Sequence, residues 1–269
     1  MPASTEGCDL DDLIIYGGII FKEDPVHKTV KARNERFEIT DPFIDDLDRR
    51  FKNIELALSP QVEDMRPFLW HNYHSPQKQD KYLLDLRYTS YLDITSLTRG
   101  DDEEETVLFK NLDTLRQRNI REARKEKAVV RIEPITDRFI HFYEKMMVAQ
   151  GLVVDAEKLK RMVTLVNALT QHGQAVSFAT YNAAQEIIYT TIFCYDEKRA
   201  YYLFGAGSQE NNERYKGTIC FWDSFRFLAR QFGVKEVDLE GVNSPQRGTF
   251  NLGFGGNLMP YYQVYKRRE

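Results

Sequence analysis

The stretch Arg199–Val242 reads RAYYLFGAGSQENNERYKGTICFWDSFRFLARQFGVKEVDLEGV. Its first nine residues are aromatic and apolar and end among glycines, the composition of a buried strand running into a turn. From about Glu213 to Phe232, Ile219, Trp222, Phe225, Leu228, Ala229 and Phe232 recur at helical spacing, and Gly233 stops the pattern. VKEVDLEGV then reads as a second strand. Strand, helix and strand in so short a span predict a right-handed crossover between parallel strands.

Working outward, AVSFATY and EIIYTTIFCYD precede this unit, separated by the turn segments NAAQ and DEK. Three strands joined by short turns pair antiparallel. Two amphipathic helices lie upstream of them. One has Thr136 as N-cap, Phe139, Phe142, Tyr143 and Met146 as its stripe, and Gly151 as stop. The other has Asp155 as cap, Leu159, Met162, Val163, Val166 and Leu169 as stripe, and Gly173 as stop. With AVVRIEP before them, the order is β-α-α-β-β-β-α-β-(α or turn)-β. It predicts an α/β (α+β) fold, a mixed central sheet with one central parallel pair and helices on its flanks.

The first hundred residues read as short strands with one helix. LIIYGGIIF (Leu13–Phe21) is an apolar run bent at Gly17 and Gly18, Asp41–Pro42 is a helix start, IELALSP alternates, and Tyr82–Thr95 has strand composition as one strand or two. The acidic run Asp101–Glu105 marks a boundary and opens a long helix that turns basic over Arg116–Lys127. This divides the chain into a reduced N-terminal α/β subdomain, 1–100, and a main domain, 101–269. Arg118, Arg121 and Lys125 share a helical face, read either as a solvated surface or as a clamp for an anionic substrate or RNA phosphates.

Composition narrows the function. The 269 residues are 42% hydrophobic and 13% aromatic, enough for a folded core. Thirty-seven Lys and Arg against 41 Asp and Glu leave a net charge of −4, which disfavours a stable nucleic-acid partner. Cys8, Cys194 and Cys220 are too few and dispersed for a disulfide framework, and His71 and His74 have no supporting ligands, so no metal is expected. No apolar run reaches the roughly 20 residues of a membrane span, and MPASTEGCDLDD lacks the regions of a signal peptide. A reduced, soluble, cytoplasmic protein, monomer or homodimer, is the expectation.

In EVDLEGV, Asp238 and Glu240 stand two apart, which on a strand aims both at one face while Val237, Leu239 and Gly241 aim at the other. Two carboxylates on one face of a core strand border a cleft or pair with cations at an edge. The later stretch TFNLGFGGNLMPYYQVYK (Thr249–Lys266) suits a sharp turn into a final strand better than a phosphate cradle, because Pro260 and a strand follow the glycines.

These residues resemble the GNAT-type N-acyltransferase superfamily, in its FemABX-like branch. The resemblance rests on RQRNIREARK (Arg118, Arg121, Ala123, Lys125), YYLFGAGS leading into a helix, VDLEG (Asp238, Gly241), and FNLGFGG (Phe250, Phe254, Gly255, Gly256). Asn251 stands where the family has Lys. The resemblance covers about Arg116 to Arg267 and makes the N-terminal part look like a reduced GNAT-like half-domain.

What the resemblance implies is an N-acyltransferase. Acyl-coenzyme A, acetyl-coenzyme A foremost, would lie where YYLFGAG and EVDLEG splay apart. Phe204, Gly205 and Ala206 would hold it along the strand, and Arg214, Tyr215, Lys216, Gly217 and Thr218 at the loop and helix start. Arg214 and Gly217 match the family's loop, while Ile219 replaces a small residue and would crowd a pyrophosphate. Glu240 is the better base candidate, with Asp238 beside it. Tyr202, like Tyr189 and Tyr201, is a candidate donor to the oxyanion or leaving group. Arg118, Arg121, Asn251 and Trp70 would contact a small anionic acceptor, an amino sugar nucleotide or cell-wall precursor. Alternatives are an aminoacyl-tRNA-dependent transferase, which the net charge disfavours, and a binding module without catalysis.

Overall fold

The computed structural model describes residues 7–8, 13–21, 29–99, 102–134 and 137–267. Thr136, the expected cap, and Asp101 lie outside the described residues. The chain opens with β1 (Gly7–Cys8), α1 (Thr29–Arg50), β2 (Asn53–Ala57), α2 (Arg66–Trp70) and β3 (Leu83–Asp93). There follow α3 (Val107–Asn111), α4 (Thr114–Lys125), β4 (Val129–Ile132), α5 (Asp137–Ala149) and α6 (Ala156–Gln171). The rest comprises β5 (Ala175–Tyr181), β6 (Ile187–Tyr195), β7 (Arg199–Gly207), α7 (Lys216–Gln231), β8 (Glu236–Asp238), α8 (Pro245–Leu252) and β9 (Asn257–Arg267).

Two compact units result, Met1–Tyr88 with Met259–Glu269, and Thr89–Leu258. They do not follow a division at residue 100. The acidic run belongs to the second unit, and the last strand returns to the first. A composition change marks a surface, whereas strand pairing decides which core a segment joins.

In the second unit the strand order is β3-β8-β7-β6-β5-β4. β7 and β8 are parallel, while β3–β8, β4–β5, β5–β6 and β6–β7 are antiparallel. This is the mixed sheet with one central parallel pair that the element order predicts. α7 lies on one face, where Phe221 meets Phe193 at 5.8 Å between ring centroids; its stripe is buried from Ile219 to Ala229, while Phe232, just past the helix, is exposed. α5 covers the other face, with Phe139 6.5 Å from Phe204. Asp155 caps α6 by accepting the Glu157 N–H at 2.9 Å, and Gly151, Gly173 and Gly233 take positive φ where the periodic patterns stop.

The acidic run does not open a long helix. Glu103–Glu105 form a 3-10 turn, α3 follows, and α4 starts afresh with Asp113 as its cap. Glu103 instead binds three partners brought by the fold: Arg124 at 2.8 Å, Arg226 at 3.1 Å and the Trp222 indole N–H at 2.9 Å. Its carboxyl is held below the usual range despite the opposing effect of burial, because these donors favour the anion.

The glycine-rich turn is also tertiary in purpose. Phe254, fully buried, stacks on Phe221 at 5.5 Å and meets Phe225 edge-on at 5.4 Å. Gly255 follows at φ 84°, and a Cβ there would lie 2.9 Å from the Asn111 carbonyl oxygen. The motif locks α3 and α8 to the core.

In the first unit the order is β1-β2-β9-β3. α1 begins at Thr29, well before the expected start at Pro42, which lies inside the helix. Burial of Ile44 and Leu47 on the core outweighs the lost proline hydrogen bond. Within Tyr82–Thr95 a single strand forms, β3 (Leu83–Asp93), and Gly17 bridges to Leu58 just after β2. Lys266 is fully buried, its Nζ 2.5 Å from Asp48, whose other oxygen lies 3.2 Å from His71 Nε2. His71 is thus bound to Asp45 and Asp48 rather than paired with His74.

Gly255→Ala should lower stability by more than about 1 kcal/mol, since it adds both a strained φ and a backbone clash. Urea unfolding of the full chain, with the midpoint compared at constant slope, measures it.

Candidate active site

β8 ends early. It pairs with β7 only at Arg199–Glu236, Ala200–Val237 and Tyr201–Asp238. Beyond Asp238 the chain stays with β3, the Leu239 N–H bonding the Ser90 carbonyl at 2.9 Å. β7 continues alone on that side from Tyr202 to Gly207. The splay expected between the two strands is present, and it leaves backbone groups of β7 without a strand partner.

Asp238 closes β8. It is fully buried and accepts from the Thr89 hydroxyl and, at 2.9 Å, from the Glu240 N–H. Glu240 and Gly241 take φ of 45° and 43°, so the chain turns sharply here. The expectation that Asp238 and Glu240 share a strand face therefore fails. Asp238 holds the turn, and Glu240 stands on it. Asn251 completes the support: fully buried, it donates to the carbonyls of Leu239 at 2.8 Å and Glu240 at 3.1 Å. The Asn251 amide nitrogen is thus spent on the turn rather than presented at a surface.

Glu240 has Oε1 buried without a hydrogen-bond partner. Burial raises its pKa well above the usual carboxyl value, the Asp238 charge raises it further, and Arg247 on α8 opposes both. A carboxyl raised in this way holds its proton above the ordinary carboxyl range, as a group that exchanges protons in a site does. Arg247, which the sequence reading missed, also opposes the rise at Tyr202 and Tyr189, so all three share its field. Burial pushes the Tyr202 hydroxyl up to about 12.

Tyr202 reaches this cluster because β7 is bulged. Phe193 pairs with Tyr202 but Ile192 with Phe204, so Leu203 is extra and the faces flip across it. Tyr202 points to α7, with its ring 4.7 Å from Phe221, and Phe204 points to α5. Gly205 and Gly207 serve close approach. A Cβ on Gly205 would lie 2.5 Å from the Tyr202 hydroxyl and 3.1 Å from that of Tyr189, and one on Gly207 2.5 Å from the Tyr189 ring. Ala206 is fully buried, its carbonyl accepting from Thr190.

The start of α7 is covered. Tyr215, Gly217 and Thr218 are buried, and a Cβ on Gly217 would meet the Tyr189 ring at 3.2 Å and Phe250 at 3.5 Å. Lys216 turns its amine onto the carbonyls of Ser208 and Asn211. Arg214 is exposed, with its carbonyl held by Asn119 at 3.3 Å. The first turn thus offers no open seat for a pyrophosphate. Ile219 is not the obstacle; it faces the core at 0% exposure.

The remaining expected site residues are elsewhere. Arg121 pairs with Glu104 at 2.6 Å and lies over Phe109, so the basic face is partly neutralised by the acidic run; Arg118 is exposed. Arg116, which sequence reading passed over, is the buried arginine of α4: it bonds the Phe250 carbonyl at 3.0 Å and lies 4.4 Å above the Phe250 ring. Trp70, in the first unit, is exposed and packs on Phe37 and Arg66. A cavity of about 590 Å³ is lined by Asp93, Thr95, Arg99 and Asn111, beyond the opposite end of β8 from Glu240. Among the described residues no group of His, Cys, Asp and Glu suited to a metal is found, and no helix is long and apolar enough to cross a membrane.

No protein-family model matches the sequence, and no curated protein matches it. Solved structures do. FemX superposes with a TM-score of 0.59 at 12% identity, covering 87% of this chain and 77% of that one. The C-terminal domain of a putative lysylphosphatidylglycerol synthetase from Agrobacterium fabrum gives 0.52 at 10%, covering 88% and 75%. L-PGS from Bacillus licheniformis gives 0.51 at 11%, covering 88% and 74%. The chain has a GNAT-type, FemABX-like fold. At these identities the likeness is one of fold. Within that FemABX-like frame, the parted strands, the turn carrying Glu240 and the α8 helix carrying Arg247 are this chain's own observed geometry.

Glu240→Gln should stabilise the protein at neutral pH. In the unfolded chain the carboxyl ionises near its ordinary pKa; in the folded chain it resists ionisation, so stability is lost as pH rises from the unfolded toward the folded pKa. Thermal melts at pH 4 and pH 7.5 should show the gain at pH 7.5 and its near disappearance at pH 4.

Proposed function

We propose that the chain is an acyltransferase in which an amine attacks an activated acyl group laid along the free edge of β7, and Glu240 accepts the amine's proton. The observation that supports it is the raised, unpartnered carboxyl of Glu240 at the parting of β7 and β8. The C–N bond forms as the nitrogen adds to the carbonyl carbon. The bond from that carbon to the leaving sulfur or oxygen then breaks, and the Tyr202 hydroxyl supplies the proton to the leaving atom. Arg247 favours the negative charge that develops between them. Asp238, Thr89 and Asn251 position Glu240 without touching substrate.

Acyl-coenzyme A is one donor. The free edge of β7 suits its amide chain, since unpaired backbone groups bind amides directly. The covered first turn of α7 does not suit its pyrophosphate. That cover favours a second donor, the aminoacyl ester at the end of a tRNA, which the FemABX-like resemblance also implies. One structural neighbour is named for synthesis of a lysyl lipid, lysylphosphatidylglycerol. The acceptor remains a small anionic amine such as an amino sugar nucleotide or cell-wall precursor, and the protein acts as a monomer or homodimer in the cytoplasm.

Turnover with acetyl-coenzyme A and with aminoacyl-tRNA, followed by mass spectrometry over a panel of amine acceptors, tests the reading. Glu240→Gln should lower kcat by roughly 10² to 10⁴. The wild-type rate should fall as pH drops through the raised Glu240 pKa, and the variant should lack that acidic limb. Wild-type turnover by the variant at every pH would sink the assignment.

A further inference from the structure

A second polar cavity, about 470 Å³ and within the range of small-molecule sites, lies where α5 faces the loop after β7. Arg138, His141 and Lys145 line it, spaced three and four apart and therefore on one side of the helix. The opposite wall is the loop Ser208–Asn211, and that loop is held in shape. Lys216 Nζ donates to the Ser208 and Asn211 carbonyls, and the Ser208 hydroxyl accepts the N–H groups of Glu210 at 3.2 Å and Asn211 at 3.3 Å.

The charges there are unevenly matched. Lys145 is paired with Glu210 at 2.5 Å. Arg138 and His141 make no hydrogen bond or ion pair among the described residues. Glu186, which also lines the cavity, is engaged by Asn182 at 3.0 Å. Lys145, with His141 and Arg138 behind it, holds the Glu210 carboxyl below its usual range, so the place now taken by Glu210 favours an anion. An arginine and a lysine lining one cavity match a phosphate, which accepts from both and carries more charge than the carboxylate.

We propose that this cavity binds a phosphate or diphosphate group, held by Arg138 and His141, with Lys145 exchanging its Glu210 partner for the ligand. Glu210 is then a resident competitor that the ligand displaces. The further assignment of the group to the acyl donor rests on the acyltransferase reading. β7 leads from Tyr202 to Gly207 and directly into this loop, and the alternative seat on α7 is covered by Tyr189.

Sodium pyrophosphate titrated into the full chain by calorimetry at low ionic strength tests the site whatever the reaction. One saturable site is expected, weakened at least tenfold by Arg138→Gln and by Lys145→Gln, strengthened several-fold by Glu210→Gln, and unchanged by Glu240→Gln. These side chains lie at the surface, and a thermal melt of each variant checks that it is folded. Absence of saturation, indifference to Arg138→Gln, or weaker binding by Glu210→Gln overturns the proposal. Coenzyme A and the trinucleotide CCA then compete against pyrophosphate. Displacement by one of them identifies the source of the group, and displacement by neither removes the donor assignment. Since binding is read without turnover, failure of the acyltransferase reading would leave this result standing.

Discussion

A carboxylate with no exposed surface is costly unless hydrogen bonds replace its water. Asp238 meets that requirement with the Thr89 hydroxyl and the Glu240 N–H, and the rest of the site follows from it. The bond to Thr89 keeps the end of β8 on the β3 side. The bond to Glu240 turns the chain through two left-handed residues and starts it toward α8. β7, extending past this point, is left with an unpaired edge. One buried anion thus sets the strand parting, the position of the candidate base and the approach of Arg247.

The bulge at Leu203 has a comparable effect on the other strand. Without it Tyr202 and Phe204 would share a face. With it, Tyr202 joins Tyr189 above the glycines of β7, and Phe204 packs against α5. The glycines that read as a ligand loop are occupied by tyrosine rings. A small-residue motif indicates close approach; only the neighbour that approaches decides whether this is a ligand or the protein itself.

Helices α5, α6 and α7 were legible because their signals are local: an apolar stripe and a glycine stop. The parallel crossover was legible for the same reason, since handedness and strand order follow from connection length. The start of α1 was not, because Pro42 is a strong local signal that burial of Ile44 and Leu47 overrides. The destination of the acidic run was not, because Arg124, Arg226 and Trp222 come from helices far along the chain. Glu240 was singled out for a strand alternation that the turn abolishes; its raised, unpartnered carboxyl comes from burial at that turn. Arg247 and Thr89 gave no signal: one is an ordinary arginine in a short helix, the other lies 149 residues from its partner.

By itself the sequence determined the helices and strands from Ala156 onward in outline, and that one parallel pair sits inside an otherwise antiparallel sheet. These depend on periodicity and short connections, which act within a few residues. Tertiary structure decided which carboxylate is a support and which is left without a partner, that Asn251 holds a turn, that Tyr189 covers α7, and that cations of α5 line a cavity with the loop after β7. Those outcomes depend on burial and on charges facing one another across the fold, and neither quantity exists until the distant segments have packed.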